Sequence, residues 1–204
     1  MHGLISIIDP QPTSIFAVVA LFASLAIWAG ALMLAKRRRG PAGSEVTQAR
    51  DSASMVGVAV QALGFVVVGF GPLKMVLGMP DAPEIGRLIA MLVLMAGAIG
   101  LFMASSRAMG RNWAIVARTR HDHELVTWGP FAVIRNPIYV ALFVWILVMA
   151  IALGHWRGLA IGAPLYWIGT WMRVKREERL LRAQFGAAYD DYAARVKRFV
   201  PGLV

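Results

Sequence analysis

The residues of this chain that could do chemistry gather between His121 and Tyr139. The stretch reads His-Asp-His-Glu-Leu-Val-Thr-Trp-Gly-Pro-Phe-Ala-Val-Ile-Arg-Asn-Pro-Ile-Tyr. It is the longest polar interruption in an otherwise apolar sequence. Gly129-Pro130 and Asn136-Pro137 are turn signals, which predict irregular backbone. Irregular backbone at a membrane is tolerated only where protein or a water-filled cavity covers it. A site is therefore expected here in preference to a bare connector.

Asn136-Pro137 predicts an extended residue followed by a helix start. A helix amino terminus offers N–H groups to an anion such as a carboxylate. Arg135 stands at that entrance, and Tyr139 falls one turn inside the helix. Alone, Arg135 reads as one more basic anchor and Tyr139 as part of an aromatic belt. A second cluster lies further on, where Glu177 and Glu178 follow Arg173, Lys175 and Arg176. Arg173 and Glu177 are four apart and share a helix face. They form either a surface ion pair of little worth or a buried cluster able to hold a polar cofactor. His121 and His123, with Asp122 and Glu124, are a weak metal signal with no third His nearby, and no metal site is assigned. Cysteine is absent, so thiolate chemistry and disulfides are excluded. No serine sits in a nucleophile elbow, and no glycine-rich phosphate loop follows a strand.

The elements that must position these residues are apolar helices. Of 204 residues 58% are hydrophobic, and the mean hydropathy is +0.63. Such a composition indicates an all-α, polytopic integral membrane protein. A net charge of +10 reads as basic anchoring at one membrane face, and nucleic-acid binding is not expected. Spans are predicted at Ser14 to Ala35, Met55 to Leu77 and Ile85 to Ser105. Two shorter runs follow, Ile138 to Leu153 and Leu159 to Trp171, read as a helical hairpin. Its tip at Gly154 to Gly158 carries His155 and Trp156, read as interfacial residues. Gly97 and Gly100 are candidates for close helix approach. The basic block after the first run and the run's length argue against a signal peptide.

Five, five and eight of the 21 Lys and Arg fall in Lys36 to Arg50, Arg107 to Arg135 and Arg173 to Arg198. The positive-inside rule then gives five spans, amino terminus outside and carboxyl terminus cytoplasmic. Arg173 to Val200 is expected to form an amphipathic helix on the membrane surface or capping the hairpin, broken at Gly186 and ended by Pro201. One domain over 1–204 is expected, with membrane helices in 1–109 and a catalytic half in 110–204. Heavy use of Arg over Lys and short loops suggest a bacterial inner membrane.

Three segments together resemble the isoprenylcysteine carboxyl methyltransferase family, to which phospholipid methyltransferases are related. These are Gly110-Arg111-Asn112-Trp113, Glu124 to Phe131, and Arg135-Asn136-Pro137-Ile138-Tyr139. The tail adds Arg173 to Glu177-Glu178, Leu181, Phe185-Gly186, Tyr189, Tyr192, Val196 and Arg198-Phe199-Val200-Pro201. The resemblance implies a membrane enzyme using S-adenosyl-L-methionine. It also implies a cytoplasmic cofactor pocket formed by His123, Glu124, Leu125, Val126, Gly129, Arg135, Asn136, Pro137, Tyr139 and Glu178. Arg173 and Glu177 become the catalytic candidates, Arg173 orienting an acceptor carboxylate. The family pattern has His where this chain has Asn136, and Asn does not titrate near neutral pH.

Methyl transfer from a sulfonium asks the protein mainly for positioning and oriented dipoles. The acceptor implied is lipid-like or prenylated and enters from the bilayer. An amine acceptor, as in phospholipid N-methyltransferases, would give Glu177 more weight than Arg173. Membrane sterol or enone reductases that bind NADPH share an Arg-x-Pro-x-Tyr-type segment and form the alternative enzyme class. A scaffold without catalysis is the third reading.

Overall fold

A computed structural model describes residues 11–38, 52–110 and 124–203. Six α-helices are present among them: α1 (Ile15–Arg38), α2 (Ser52–Gly69), α3 (Ala82–Met109), α4 (Pro137–Leu153), α5 (Trp156–Phe185) and α6 (Ala187–Arg195). A 3-10 turn at Gly129–Ala132 precedes α4. Two short strands, β1 (Thr13–Ser14) and β2 (Met75–Val76), pair in parallel at the end of the bundle where α1 begins.

Helices α1 to α4 are predominantly apolar. α1 and α3 are long and apolar enough to cross a membrane, and Met55–Gly69 and Pro137–Leu153 are shorter apolar helices. Phe22, Ile27 and Met33 of α1 and Ile89 and Val93 of α3 are exposed. So continuous an apolar exterior suits lipid and would be a liability in water. Inward, Trp28, Met91, Met95, Phe102, Ala141, Trp145 and Val148 form the core between α1, α3 and α4. The Trp28 ring lies 4.9 Å from Phe102 and 5.2 Å from Trp145, both tilted.

Punctuation in the sequence sets the helix ends. Asp81 caps α3 by accepting from the Glu84 N–H at 2.9 Å. α4 starts on Pro137 and stops at Gly154, whose φ of 69° is left-handed. α2 ends at Gly69, eight residues before the expected end at Leu77. Gly71-Pro72 explains the difference, since a residue preceding proline is driven out of the helical region. A second difference concerns the tail. No boundary falls after Trp171; α5 runs unbroken for 30 residues through Arg173 and Glu178 to Phe185. The Arg, Lys, Glu and Leu residues there are strong helix formers, so charge alone does not interrupt the helix. The break comes at Gly186, with φ 53°, and α6 follows.

Glycines bring α2 and α5 into backbone contact. A Cβ added at Gly64 would stand 2.8 Å from the Gly162 carbonyl oxygen, and one at Gly169 only 2.6 Å from that of Gly57. In both helices the two glycines are seven apart, so they recur on one face and let antiparallel backbones touch. Gly97 and Gly100 do not play that part: an added Cβ would meet nothing within 4 Å. His155 is buried, not interfacial in the manner expected. Its Nδ1 lies 2.8 Å from the Val68 carbonyl and its Nε2 3.1 Å from that of Pro72. The ring thus ties the end of α2 to the start of α5.

Candidate functional site

A cavity of about 410 Å³ lies between α1, α3, α4, α5 and the tail. One part of its lining is charged or polar: Glu124, Arg135, Asn136, Arg173, Glu177 and Glu178. The other part is apolar, with Trp28 and Leu32 from α1, Phe102 from α3 and Leu142 from α4. Both halves of the chain therefore build its walls.

The Arg135-Asn136-Pro137 turn is held by the end of the chain. The Arg135 N–H donates to the Lys197 carbonyl at 2.8 Å, and the Asn136 N–H to that of Arg198 at 3.0 Å. The Asn136 side-chain amide also donates to the Arg198 carbonyl, at 3.3 Å. Asn136 thus acts as a hydrogen-bond donor, a part that needs no titratable group. No side chain caps the start of α4, which leaves the dipole end of that helix available at the cavity wall.

Two carboxylates on α5 organise the charged part. Arg198 donates to both oxygens of Glu178, each at 2.8 Å. Arg135 Nη1 lies 3.1 Å from Glu178 Oε1 and donates to the Tyr189 hydroxyl at 3.3 Å. Arg135 Nε has no hydrogen-bond partner among the described residues, although the side chain is only 10% exposed. Glu177 accepts from the Tyr139 hydroxyl at 2.5 Å. Its Oε1 lies 3.7 Å from Arg173 Nη2, and the Arg173 guanidinium covers the Tyr139 ring at 5.1 Å. Burial pushes the Glu177 carboxyl above its usual range; Arg173 and the Tyr139 hydrogen bond pull it back, and Glu178 pushes it up again.

α6 supports this arrangement from the other side. The Tyr192 hydroxyl donates to the Phe131 carbonyl at 2.7 Å, pinning the 3-10 turn. Burial pushes that phenol up to about 12, so it stays a donor at neutral pH. Burial, and then Glu178, raise Tyr189 as well.

The sequence-based candidates separate as follows. Arg135, Asn136, Pro137, Tyr139, Arg173, Glu177, Glu178, Glu124, Leu125 and Val126 all line the cavity. Gly129 is not among its lining residues; with φ 61° it makes the turn that leads into Pro130 and Phe131. His123 lies outside the described residues, as do Asp122 and His121. Among the described residues no group of three or more His, Asp or Glu could hold a metal ion.

Sequence reasoning gave no role to Arg198 and overlooked Gln61. Gln61 is 5% exposed and sits midway along α2. Its side-chain oxygen accepts from Arg173 Nη1 at 2.8 Å, and its amide donates to the Thr170 hydroxyl at 2.7 Å. The signal was legible, because Gln61 is the sole polar side chain between Met55 and Gly69. A polar residue within an apolar span is expensive unless partnered, and marks function by default.

A helical bundle of membrane type with a charged pocket at the end of its apolar core defines the class. Within it, the family model for phospholipid methyltransferases matches residues 87–188, half of the chain, and the chain belongs to that family. It is 33% identical over 107 residues to a protein-S-isoprenylcysteine O-methyltransferase of Schizosaccharomyces pombe, covering 50% of this chain and 45% of that one. It is 34% identical over 116 residues to the nickel-cobalt-cadmium resistance protein NccN of Alcaligenes xylosoxydans xylosoxydans, covering 56% and 53%. The chain thus spans about half the length of these curated relatives. The fold is similar to that of the eukaryotic intramembrane Ras methyltransferase, isoprenylcysteine carboxyl methyltransferase. The TM-score is 0.62 at 18% identity, over 92% of this chain and 67% of that one.

Proposed function

We propose that this protein methylates a carboxylate at the end of a lipid-like or prenylated acceptor, with S-adenosyl-L-methionine as donor. The observation that carries the reading is the cavity itself, in which a charged wall and an apolar wall face the same space. The residues present fit the donor. Arg135, with an unpartnered buried Nε, and the uncapped start of α4 suit its carboxylate. Glu178, Glu124 and the backbone from Leu125 to Val126 suit its amino and ribose groups.

S-adenosylmethionine, when bound, supplies a methyl group already activated on a sulfonium. Side chains then need only bind, orient and exclude water. Arg173 orients the acceptor carboxylate. One of its Nη atoms faces the Gln61 amide oxygen at 2.8 Å, and the other lies 3.7 Å from Glu177. A guanidinium at the cavity wall has the fork geometry that suits a carboxylate acceptor. Trp28, Leu32, Phe102 and Leu142 receive the apolar part, which enters sideways from the bilayer. Five spans, with the amino terminus outside and the charged end of the bundle at the cytoplasmic face, complete the proposal; a bacterial inner membrane is the proposed location.

The family match favours a second reading, an amine acceptor on a phospholipid. In that case Glu177, not Arg173, would carry the acceptor. Calorimetric binding of S-adenosylhomocysteine to purified protein, with NADPH beside it, tests the donor. Micromolar-range binding of the homocysteine compound, lost in Glu178→Ala and Arg135→Ala, is expected. Binding of NADPH alone would replace the reading with a reductase. Methylation assays on a farnesylated cysteine and on phosphatidylethanolamine then separate the two acceptors.

A further inference from the structure

We propose that Gln61 is a positioning residue for Arg173, so that a side chain of α2, in the half of the chain without a motif, sets how the acceptor is held. The inference rests on the proposed role of Arg173 toward the acceptor. Arg173 offers only donors, so the amide atom facing it at 2.8 Å must be the oxygen. That fixes the orientation of the Gln61 amide, and its nitrogen is left to donate to Thr170, which is fully buried. Thr170 lies one turn from Tyr166 on α5. Tyr166, itself fully buried, donates to the Tyr139 carbonyl at 2.6 Å.

A second chain of contacts reaches Arg173 from Tyr139. Tyr139 donates its hydroxyl to Glu177, and Glu177 pairs with Arg173. The guanidinium is thereby held from two directions, by an amide on α2 and by a carboxylate on its own helix. Removing the carboxylate would alter charge; removing the amide would alter aim alone. The Gly57 and Gly169 contact explains how Gln61 reaches so far. An added Cβ at Gly169 would lie 2.6 Å from the Gln61 N–H nitrogen, so the two helices touch at the level of the amide. A longer separation would leave it short of Arg173. A buried network in which each member satisfies the next holds one geometry strongly and fails as a unit.

The test uses the full chain in detergent with Gln61→Met, Gln61→Glu, Arg173→Ala and the double variant Gln61→Met with Arg173→Ala. Three readouts are taken: S-adenosylhomocysteine affinity, kcat and KM for a farnesylated cysteine, and thermal midpoint. Gln61→Met, near-isosteric but without the acceptor oxygen, is expected to raise the acceptor KM about tenfold. S-adenosylhomocysteine affinity should stay within twofold of the parent. Gln61→Glu keeps an oxygen facing Arg173 and should restore most of the KM. In the thermal cycle the double variant should lose no more than the worse single variant, because the two residues act through one contact. An unchanged KM in Gln61→Met, or thermal losses that simply add, would overturn the inference. If the parent binds S-adenosylhomocysteine yet methylates no farnesylated cysteine, the acceptor reading fails. The thermal cycle needs no turnover and still decides whether Gln61 and Arg173 are coupled.

Discussion

Arg198 holds Glu178 by two parallel hydrogen bonds, both 2.8 Å long, from a chain segment twenty residues further on. The same carboxylate meets Arg135 at 3.1 Å. One buried acid on α5 therefore ties the turn before α4 to the end of the chain. The backbone pairing of Arg135 and Asn136 with Lys197 and Arg198 runs alongside. This side of the cavity is consequently a composite of three segments, joined at Glu178 and by that backbone pairing.

Glu178→Ala removes the centre of that junction and leaves two arginines facing each other. Breaking a buried ion pair in this way costs about 3 kcal/mol or more. The expected result is a lower thermal midpoint together with loss of S-adenosylhomocysteine binding. Arg198→Ala should cost less, since its side chain is 32% exposed. Glu178→Ala combined with Arg198→Ala should fall well short of the sum. Full additivity would show that the pair is not a unit.

The helix contact gives a paired prediction on four glycines. Gly64→Ala and Gly169→Ala push a methyl into backbone at 2.8 Å and 2.6 Å. Each is expected to destabilise by about 1–3 kcal/mol, as overpacked cores do. Gly97→Ala and Gly100→Ala enter open space. They should be neutral or stabilise by up to about 1 kcal/mol through helix propensity. Thermal unfolding in detergent separates the two pairs, and equal effects would sink the assignment of the contact.

Glu177 makes stability depend on pH. Its carboxyl is raised in the folded protein, chiefly by burial, so the folded state holds its proton more tightly than the unfolded chain. The stability it contributes is full below the ordinary carboxylate range near pH ~4.3. That contribution is lost as pH rises through the folded value. Glu177→Gln should flatten this part of the pH profile. Tyr139→Phe removes a hydrogen bond that lowers the folded value, and should move the loss to higher pH. Thermal midpoints across pH 4 to 8 check both variants, and an unmoved profile in Tyr139→Phe would count against the contact.

Tyr192→Phe removes the donor that holds the Phe131 carbonyl at 2.7 Å. An unsatisfied buried carbonyl costs about 1–3 kcal/mol. Because Phe131 also lines the cavity, S-adenosylhomocysteine affinity should weaken several-fold while helix content by circular dichroism stays the same. Unchanged affinity would place the 3-10 turn outside the binding surface.

Much of this was legible from residue order. Apolar runs located the helices, because a span must satisfy its own backbone and cover itself with carbon. Proline at 137 and glycines at 154 and 186 marked helix ends through backbone geometry alone. The polar cluster from Glu124 to Tyr139 and the acidic pair on α5 stood out as charges with no cheap place in an apolar chain. Where the reading slipped, local rules met a competing one. Gly71-Pro72 stopped α2 early, while the charged residues after Trp171 continued α5 instead of ending it.

Sequence by itself thus determined the class of element and the polar residues available. Tertiary structure alone decided which of them meet. Spacing of four announced Arg173 and Glu177, but nothing in the order of residues pairs Gln61 with Arg173 across 112 positions or Asn136 with Arg198 across 62. The first pair is chosen by the approach of α2 and α5, which depends on glycines whose missing side chains carry no signal until two backbones are seen to touch. The second is chosen by the backbone pairing of the turn before α4 with Lys197 and Arg198.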